Sequence, residues 1–452
     1  MDRTHIEEAK RRIGEPVTLS GWVSNTRDLG RIKFVVLRDI TGEIQVTAKP
    51  GDIVYQELST LNLGREDVIS VEGRTVSSEI VHAGVEFMPE RIEVLNRSRQ
   101  PLPFDVSGRV KAELDTRLNH RFMDFRTPRT SAIFRVQHEL LTSFRRFLTD
   151  RGYLEIQPPC IIASASEGGA ELFEIPYFER VAYLAQSPQL YKQMCAISFE
   201  KVFTVVPVWR AEKFNTPTHL NEVRQMDIEQ AFADDETVMA VLEEVLVDML
   251  EAVKERCPRE LEALDRVVEV PELPLRRLTY TEAVKMLQGA GEEFAWGDDF
   301  SKSQERRLRE LVGDEAFFVK DWPAVQKAFY AMPYDPNDIK NAMQINEIEN
   351  IVNRLKYRGY PNIVHAFDLI YGGIEISSGT QRIHKPDLLR EQLRKKGLDP
   401  KDFTHYVDCF AYGAPPHAGW SIGLERLTMA VTGMSNIREC CMFPRDRDRL
   451  VP

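Results

Sequence analysis

The chain has 452 residues, 43% of them hydrophobic and 29% charged, a balance typical of a soluble protein with two or three domains. Its formal net charge of −11 argues against a broadly basic nucleic-acid-binding surface, although a local basic patch stays open. The sequence has no apolar run of 18 residues, no signal-peptide pattern and no CxxC pair among its six cysteines. We therefore expect no membrane span, no disulfide framework and a cytoplasmic location.

The first hundred residues contain short runs in which apolar and polar side chains alternate. Five runs, VTLSGWVS, IKFVVLRD, EIQVTA, ISVEGRTV and EFMPERIEV, predict β-strands, and residues 53–61 predict a helix between the third and fourth. This arrangement fits a small OB-type barrel, a fold that binds oligonucleotides in many proteins. A β-barrel without a nucleic-acid role is the alternative.

A proline-punctuated stretch, QPLPFD, predicts the end of this first domain. We assign residues 1–104 to the barrel, 105–130 to a hinge and 131–452 to a second domain. There, TSAIFRVQHELLTSFRRFLTDRGYLEI predicts an amphipathic helix, a glycine turn and a strand. Strands and helices then mix without regular βαβ alternation, which favours an α+β domain built on an antiparallel sheet. Residues 336–359 have the composition of a helical insertion.

The stretch VPVWRAEKFNTPTHLNEVRQMDIEQAF predicts a β-hairpin with charged side chains at the base of its loop. Arg210 and Glu212 are two residues apart, a spacing that places both on one face of a strand. An arginine there can bind a phosphate or carboxylate through two hydrogen bonds, and His219 follows in the loop. A surface salt bridge between the arginine and the glutamate is the simpler alternative.

Two later segments add oxygen ligands and a cation. IEISSGTQRIH is interpreted as a strand followed by a glycine turn, and its Glu375 and Ser378 are hard oxygen ligands of the kind that Mg²⁺ takes together with nucleotide phosphates. PPHAGWSIGLERL predicts a glycine-rich turn over 419–423 that opens a helix near Glu425 and directs Arg426 towards a phosphate. Each segment alone also fits a turn, a helix cap or a solvated face.

Together, these motifs resemble a class II aminoacyl-tRNA synthetase, and specifically an aspartyl-tRNA synthetase of the archaeal type, over essentially the whole chain. GYLEIQPP, which ends at Pro159, resembles the first motif, at the family's dimer interface. VWRAE followed by HLNE resembles the second motif, and GLERL the third. The resemblance implies a homodimer that joins L-aspartate to tRNA with ATP and Mg²⁺.

The resemblance also implies roles for individual residues of the second domain. Arg210 and Arg426 are the expected catalytic cations, which neutralise the reacting phosphate without a protein nucleophile. The expected magnesium ligands are Glu375 and Ser378. The expected ATP-binding residues are Arg210, Glu212, Thr218, His219, Leu220, Glu375, Gly423, Leu424, Glu425 and Arg426. The expected aspartate-binding residues are Glu167, Gln189, Lys192, Arg210, Asp227, Ser378 and Arg382.

In the aspartate pocket, the resemblance places Gln189 on the substrate's amino group and Glu167 and Asp227 near its ammonium charge. Lys192 and Arg382 bind the side-chain carboxylate. A buried carboxylate needs cations, whereas an amide ligand would leave them unpaired and be rejected.

In the barrel, the resemblance implies that the anticodon of tRNA is bound by Phe34, Gln45, Ser24 and His82. Phe34 would stack on the central base and Gln45 would hydrogen-bond it. Without the resemblance, Phe34 would instead be assigned to the barrel core. Ser24 and His82 lie where relatives strict for tRNA(Asp) often carry Trp and Lys, and relaxed ones His and Pro. This chain has neither set, and we favour the relaxed reading, in which tRNA(Asn) is a second substrate.

Three alternatives share parts of this pattern. An asparaginyl-tRNA synthetase has the same fold and barrel, but Lys192 and Arg382 suit a carboxylate better than an amide. A synthetase-like paralogue that binds without aminoacylating would have lost Arg210, Glu375 or Arg426, and a tRNA-independent asparagine-forming relative would lack the barrel. The second motif's loop departs from the family, because Phe214 and Thr218 stand where some relatives carry His and Arg.

Overall fold

The computed structural model describes residues 2–79, 81, 84–163, 172–213, 215–334 and 363–452. The chain forms two compact units, Met1–Thr116 and Arg117–Pro452. The predicted hinge at 105–130 spans this division, and the predicted insertion at 336–359 lies outside the described residues. Within those ranges, no helix combines the length and apolar character needed to cross a membrane.

The first unit is a five-stranded barrel with two short helices. Its elements are β1 Pro16–Asp28, β2 Lys33–Arg38, β3 Glu43–Ala48, β4 Val68–Ser77, β5 Val85–Asn96, α1 Ile6–Ala9 and α2 Ile53–Leu61. The strands close in the order β1-β2-β3-β5-β4. Alternation along each strand sends one set of side chains, such as Val35, Leu37, Ile44 and Val46, into the barrel core.

Phe34 and Gln45 lie outside that core. Val35 and Leu37 point inward on β2, so Phe34 points to the opposite, outer face. Phe34 pairs with Thr47 across the β2–β3 ladder, two residues from Gln45 on the same face. Gln45 Nε2 donates to Thr47 Oγ1 at 3.2 Å. The two expected anticodon residues are therefore diagonal neighbours on one half-exposed surface.

Ser24 occupies an irregular position in β1. The β1–β2 register shifts between Val23 and Asn25, which marks a β-bulge at Ser24. Its Oγ donates a hydrogen bond of 2.8 Å to Glu43 Oε1 on β3. His82 lies outside the described residues.

The second unit is built on a large sheet and a small one. The strands of the large sheet are β6 Leu154–Glu155, β10 Lys201–Trp209, β11 Glu222–Ala231, β12 Arg276–Thr279, β13 Ala316–Pro323, β14 Ile363–Tyr371, β15 Ile374–Gln381 and β16 His417–Gly423. The small sheet comprises β7 Ile161–Ile162, β8 Glu174–Tyr177 and β9 Arg180–Leu184. The large sheet has the order β12-β13-β14-β15-β16-β11-β10-β6, with six antiparallel inner strands and a parallel strand at each edge.

Helices after the barrel surround this sheet. They are α3 Leu114–Asn119, α4 Arg121–Asp124, α5 Pro128–Asp150, α6 Gln189–Phe199, α7 Asp235–Arg256, α8 Pro258–Leu264, α9 Tyr280–Gly289, α10 Lys302–Val312, α11 Pro386–Lys395, α12 Thr404–Val407 and α13 Leu424–Thr432. The predicted amphipathic helix is α5, which begins after the N-cap Thr127 and buries Val136, Leu140 and Phe144 at four-residue spacing. These residues join α7 and Ile228 of β11 in one apolar core. On the other face, β12 to β14 pack against α9 and α10 in a second apolar core, and the central strands present polar side chains.

Candidate active site

A row of polar residues crosses the centre of the large sheet. Strand register aligns Thr204 on β10, Asp227 on β11, Ser421 on β16, Ser378 on β15 and Asp368 on β14. Ser421 Oγ donates to Asp227 Oδ2 at 3.1 Å. Aligned residues of neighbouring strands lie on the same side of a sheet, so residues far apart in sequence share one surface.

The next row contains a glycine that makes room for a buried carboxylate. Glu229 on β11 pairs with Gly419 on β16. A Cβ on Gly419 would overlap the Glu229 carboxylate and the backbone oxygen of Ile228. The prediction of a glycine-rich turn over 419–423 was wrong, because the segment is strand β16 and Gly419 is needed for close packing. Gly379 also lies within a strand, β15, so no glycine turn follows Glu375 and Ser378.

Four charged side chains meet in this buried region. Lys192 Nζ donates to Asp227 Oδ1 at 2.7 Å and lies 3.6 Å from Glu229 Oε2. Arg382 donates through Nε and Nη2 to the two oxygens of Glu229, at 2.9 and 3.2 Å. None of the four is more than 3% exposed. Two cations and two carboxylates give the cluster a balanced charge.

The cations keep this cluster ionised. Burial alone would raise the pKa of Glu229, but Arg382 and Lys192 outweigh burial and hold that pKa below its ordinary value. Burial would lower the pKa of Arg382, but the charge and hydrogen bonds of Glu229, together with Tyr330 and Tyr406, offset burial, so the pKa is raised. Glu229 and Arg382 therefore both carry charge at neutral pH.

All but one of the expected ATP-binding residues line a single cleft beside this cluster. Leu424 instead packs into the apolar core on the far side of the sheet. The cleft is also lined by Ser378 and Ser421. The expected residues that line it are Arg210, Glu212, Thr218, His219, Leu220, Glu375, Gly423, Glu425 and Arg426.

Asn221 holds the start of the loop after β10 through its backbone and its side chain, and Arg210 N–H donates to the Asn221 backbone oxygen at 3.0 Å. The predicted hairpin is formed by β10 and β11, but β10 ends at Trp209, so placing Arg210 and Glu212 on the strand was wrong. Asn221 Nδ2 donates to the backbone oxygens of Arg210 at 2.7 Å and Glu212 at 2.9 Å. This side chain satisfies the loop's buried carbonyls and fixes both residues at the cleft.

Positive charge surrounds Glu375 in the cleft. Arg426 Nη1 donates to Glu375 Oε2 at 3.2 Å, and Lys302 Nζ lies 3.7 Å from the same oxygen. Burial would raise the pKa of Glu375, but nearby cations, Arg426 first among them, lower it. Arg210 forms no ion pair with any residue that the structure describes, so its guanidinium is available to a ligand.

Glu425 lines the cleft, but its carboxylate is used within the protein. Burial raises the pKa of Glu425 to about 7, and its carboxylate accepts from the backbone N–H of Arg224 at 3.1 and 3.2 Å. Glu425 thus helps to hold β11 against α13. Glu167 and Phe214 lie outside the described residues.

Matches to known families cover most of the chain. Residues 113–447 match the family described as tRNA synthetases class II (D, K and N), and residues 17–95 match the OB-fold nucleic acid binding domain. The chain belongs to the class II tRNA synthetases. This synthetase is therefore an aminoacyl-tRNA ligase, and the predicted OB barrel and α+β domain are confirmed.

Relatives of the synthetase are similar over nearly their full length. It is 46% identical to the Aspartate--tRNA(Asp/Asn) ligase of Archaeoglobus fulgidus over 97% of each chain. It is 44% identical to the ligase of the same name from Methanocaldococcus jannaschii, over 97% of this chain and 95% of that one. The structure of asparaginyl-tRNA synthetase from Pyrococcus horikoshii with asparaginyl-adenylate matches over 100% of both chains, with a TM-score of 0.90 and 34% identity.

Sequence reasoning missed four charged residues of the synthetase's site, one of which is Lys302 beside Glu375. Glu229 bridges Lys192 and Arg382, as described above. Lys327 Nζ donates to both carboxylate oxygens of Asp368 at 2.7 Å. Burial raises the pKa of Asp368 to about 6. The sequence did contain one indication of such residues: Asp368 is an acidic residue within a run of apolar strand residues, IVHAFDLIY.

Proposed function

We propose that this synthetase activates L-aspartate with ATP and transfers the aspartyl group to tRNA(Asp). The observation that carries the proposal is the buried, charge-balanced cluster of Lys192, Asp227, Glu229 and Arg382, beside a cleft lined by Arg210, which forms no ion pair with a described residue. The cluster supplies an amino-acid pocket, and the cleft supplies a site for a nucleotide phosphate.

Charge balance favours aspartate over asparagine in this pocket. The ammonium of aspartate can replace Lys192 as the partner of Asp227, while its side-chain carboxylate takes up Lys192 and Arg382. The ammonium and side-chain carboxylate charges then cancel within the low-dielectric pocket, and the α-carboxylate is left to Arg210. Asparagine brings the ammonium without a side-chain carboxylate, and its NH₂ group would face N–H donors. An aspartate pocket therefore explains both cations.

The cleft residues can hold the nucleotide and its metal. Mg²⁺ would be held by Glu375 and Ser378, with Asp368 aligned with Ser378 in the sheet. These oxygen donors fit Mg²⁺, which binds one or two carboxylates together with substrate phosphates. When bound, the metal supplies positive charge to phosphate oxygens. Arg210 and Arg426 orient the phosphate and neutralise the charge that develops on it.

Amino-acid-dependent exchange between ATP and pyrophosphate tests this function. We expect exchange with L-aspartate and little with L-asparagine, because only the carboxylate matches Lys192 and Arg382. Faster exchange with asparagine would establish the asparaginyl alternative. No exchange with either amino acid, together with tRNA binding, would establish the non-catalytic alternative.

Phe34→Ala and Gln45→Ala are expected to impair aminoacylation of tRNA without changing pyrophosphate exchange. Loss of one stacked base costs about 1–3 kcal/mol, or about 5- to 150-fold in kcat/KM. Ile53→Ala, which truncates an exposed apolar side chain elsewhere on the same unit, is the control. Equal losses in both assays would show that the substitutions disturb the catalytic unit instead.

The two tRNAs are expected to be charged with comparable efficiency. Ser24 is small, and its hydroxyl is already bonded to Glu43, so it builds no wall against the third anticodon base. We expect the ratio of kcat/KM for tRNA(Asp) over tRNA(Asn) to stay below about a hundredfold, which is about 2.7 kcal/mol. A larger ratio would identify a strict enzyme.

We expect the active form to be a homodimer. The edge strand β6 follows the first motif's helix, and two apolar side chains near this edge are exposed: Leu154 by 47% and Phe199 by 58%. Covering such a patch favours association. Sedimentation at micromolar concentration measures it, and an active monomer would exclude the dimer.

A further inference from the structure

A chain of buried polar side chains runs behind the amino-acid pocket. Gln189 Nε2 donates to Gln193 Oε1 at 2.8 Å, one turn along α6. Gln193 Nε2 lies 2.9 Å from His417 Nε2, and His417 Nδ1 lies 2.9 Å from the backbone oxygen of Pro415. Tyr406 donates its hydroxyl to Gln193 Oε1 at 2.8 Å. All four side chains are buried.

The Pro415 carbonyl fixes which group donates and which accepts in each hydrogen bond of this series. A carbonyl oxygen only accepts, so His417 must carry its proton on Nδ1 and, when neutral, accept at Nε2. Gln193 then has to turn its NH₂ group to the ring and its oxygen to Gln189. That oxygen can only accept, so Gln189 must donate its own NH₂ group inward. The protonation of His417 therefore fixes the orientation of the Gln193 amide, which in turn fixes that of the Gln189 amide.

The neutral state of His417 is consistent with its surroundings. Burial lowers the pKa of His417, and Glu229 opposes this less strongly, while Arg382 and His384 add to the lowering. Phe410 stacks on the ring, with centroids 5.6 Å apart and planes 12° apart. Backbone pairing also fixes the position, because Arg382 N donates to His417 O at 2.8 Å.

We propose that Gln193 and His417 are positioning residues that hold the Gln189 carbonyl oxygen towards the substrate's ammonium group. The inference rests on the proposed function, in which Gln189 meets the amino group of aspartate. With its NH₂ group committed to Gln193, Gln189 offers the ligand an acceptor. Among the described residues, Gln189 Oε1 accepts no hydrogen bond. The pocket thereby selects a ligand that has an α-amino group, whichever side chain that ligand carries.

Gln193→Met tests this role, because it keeps the side-chain length and removes both hydrogen-bonding functions. Freed from its partner, Gln189 can turn its amide, so we expect the aspartate KM to rise about 10- to 100-fold, the effect of one hydrogen bond to a charged group. The KM for ATP and the Ki of succinate, which is aspartate without its amino group, should not change. Equal weakening of aspartate and succinate would show a packing role and overturn the proposal. Gln288→Met, an exposed glutamine distant in sequence, is the matched control.

Neutron diffraction from the wild-type protein tests the direction without any substitution. We expect deuterium on His417 Nδ1, none on Nε2, and the ND₂ group of Gln193 facing the ring. Deuterium on Nε2 would overturn the proposal even if the enzyme is active. Conversely, the expected deuterium pattern in a protein without aspartate-dependent exchange would contradict the proposed function and leave the orientation standing.

Discussion

Lys192→Ala and Arg382→Ala are each expected to raise the aspartate KM about a hundredfold or more, with little change in the KM for ATP. Each removes a cation from a buried cluster, and breaking a buried ion pair costs about 3–5 kcal/mol. In the proposed function the cluster forms the amino-acid pocket, whereas the proposed nucleotide cleft is lined by two other cations, Arg210 and Arg426. Pyrophosphate exchange at varied aspartate and varied ATP measures the two constants.

The same substitutions should also lower the melting temperature, because Asp227 or Glu229 is left buried without its cation. Lys192→Met combined with Asp227→Asn removes both charges of one pair, so we expect it to recover stability but not aspartate binding. Lys395→Ala, which breaks an exposed ion pair with Glu391, is the control. A rise in the KM for ATP equal to that for aspartate would refute the assignment of these residues to the amino-acid pocket.

Arg210→Ala is expected to lower the kcat of exchange by about 10²–10³, with almost no change in melting temperature. Removing one preorganised donor to a transition-state charge has an effect of this size. The fold does not depend on Arg210, whose guanidinium pairs with no residue in the described ranges. Arg210→Lys keeps the charge but not the two-pronged geometry, so an intermediate rate is expected.

Arg307→Ala is the control for this prediction, because it removes a surface arginine paired with Glu310 on α10. Arg382→Ala is expected to lower the melting temperature and Arg210→Ala is not, and this difference is the most direct check on the two roles. A loss of melting temperature at Arg210 similar to that at Arg382, with kcat unchanged, would mean that Arg210 has a structural role.

Local pattern was enough to predict the barrel and the charged hairpin. Two-residue alternation is a property of each strand, yet without the family resemblance Phe34 would have been assigned to the core. Its outward position follows from the burial of Val35 and Leu37 in the same strand alternation. Arg210 and Glu212 both line the cleft, but their spacing does not explain this, because β10 ends at Trp209 and Asn221 holds the loop.

Sheet register between distant segments could not be predicted in the same way. Asp227 and Asp368 are separated by 141 positions in the printed sequence, yet they lie in one row because β16 and β15 stand between their strands. Glu229 meets Arg382 only because Gly419 leaves space between β11 and β15. Such pairings depend on contacts between residues far apart in the sequence, so the spacing of residues does not predict them.

The Glu229 carboxylate, which bridges both cations, has a consequence for how such a pocket can change its substrate over evolution. Replacing Lys192 alone to admit an uncharged ligand leaves Asp227 as an excess buried anion, and replacing Arg382 alone leaves Glu229 in that state. A single substitution towards a neutral amino acid therefore weakens the fold before it can create a new specificity. Viable routes change an anion and a cation together, or begin from a variant with stability to spare.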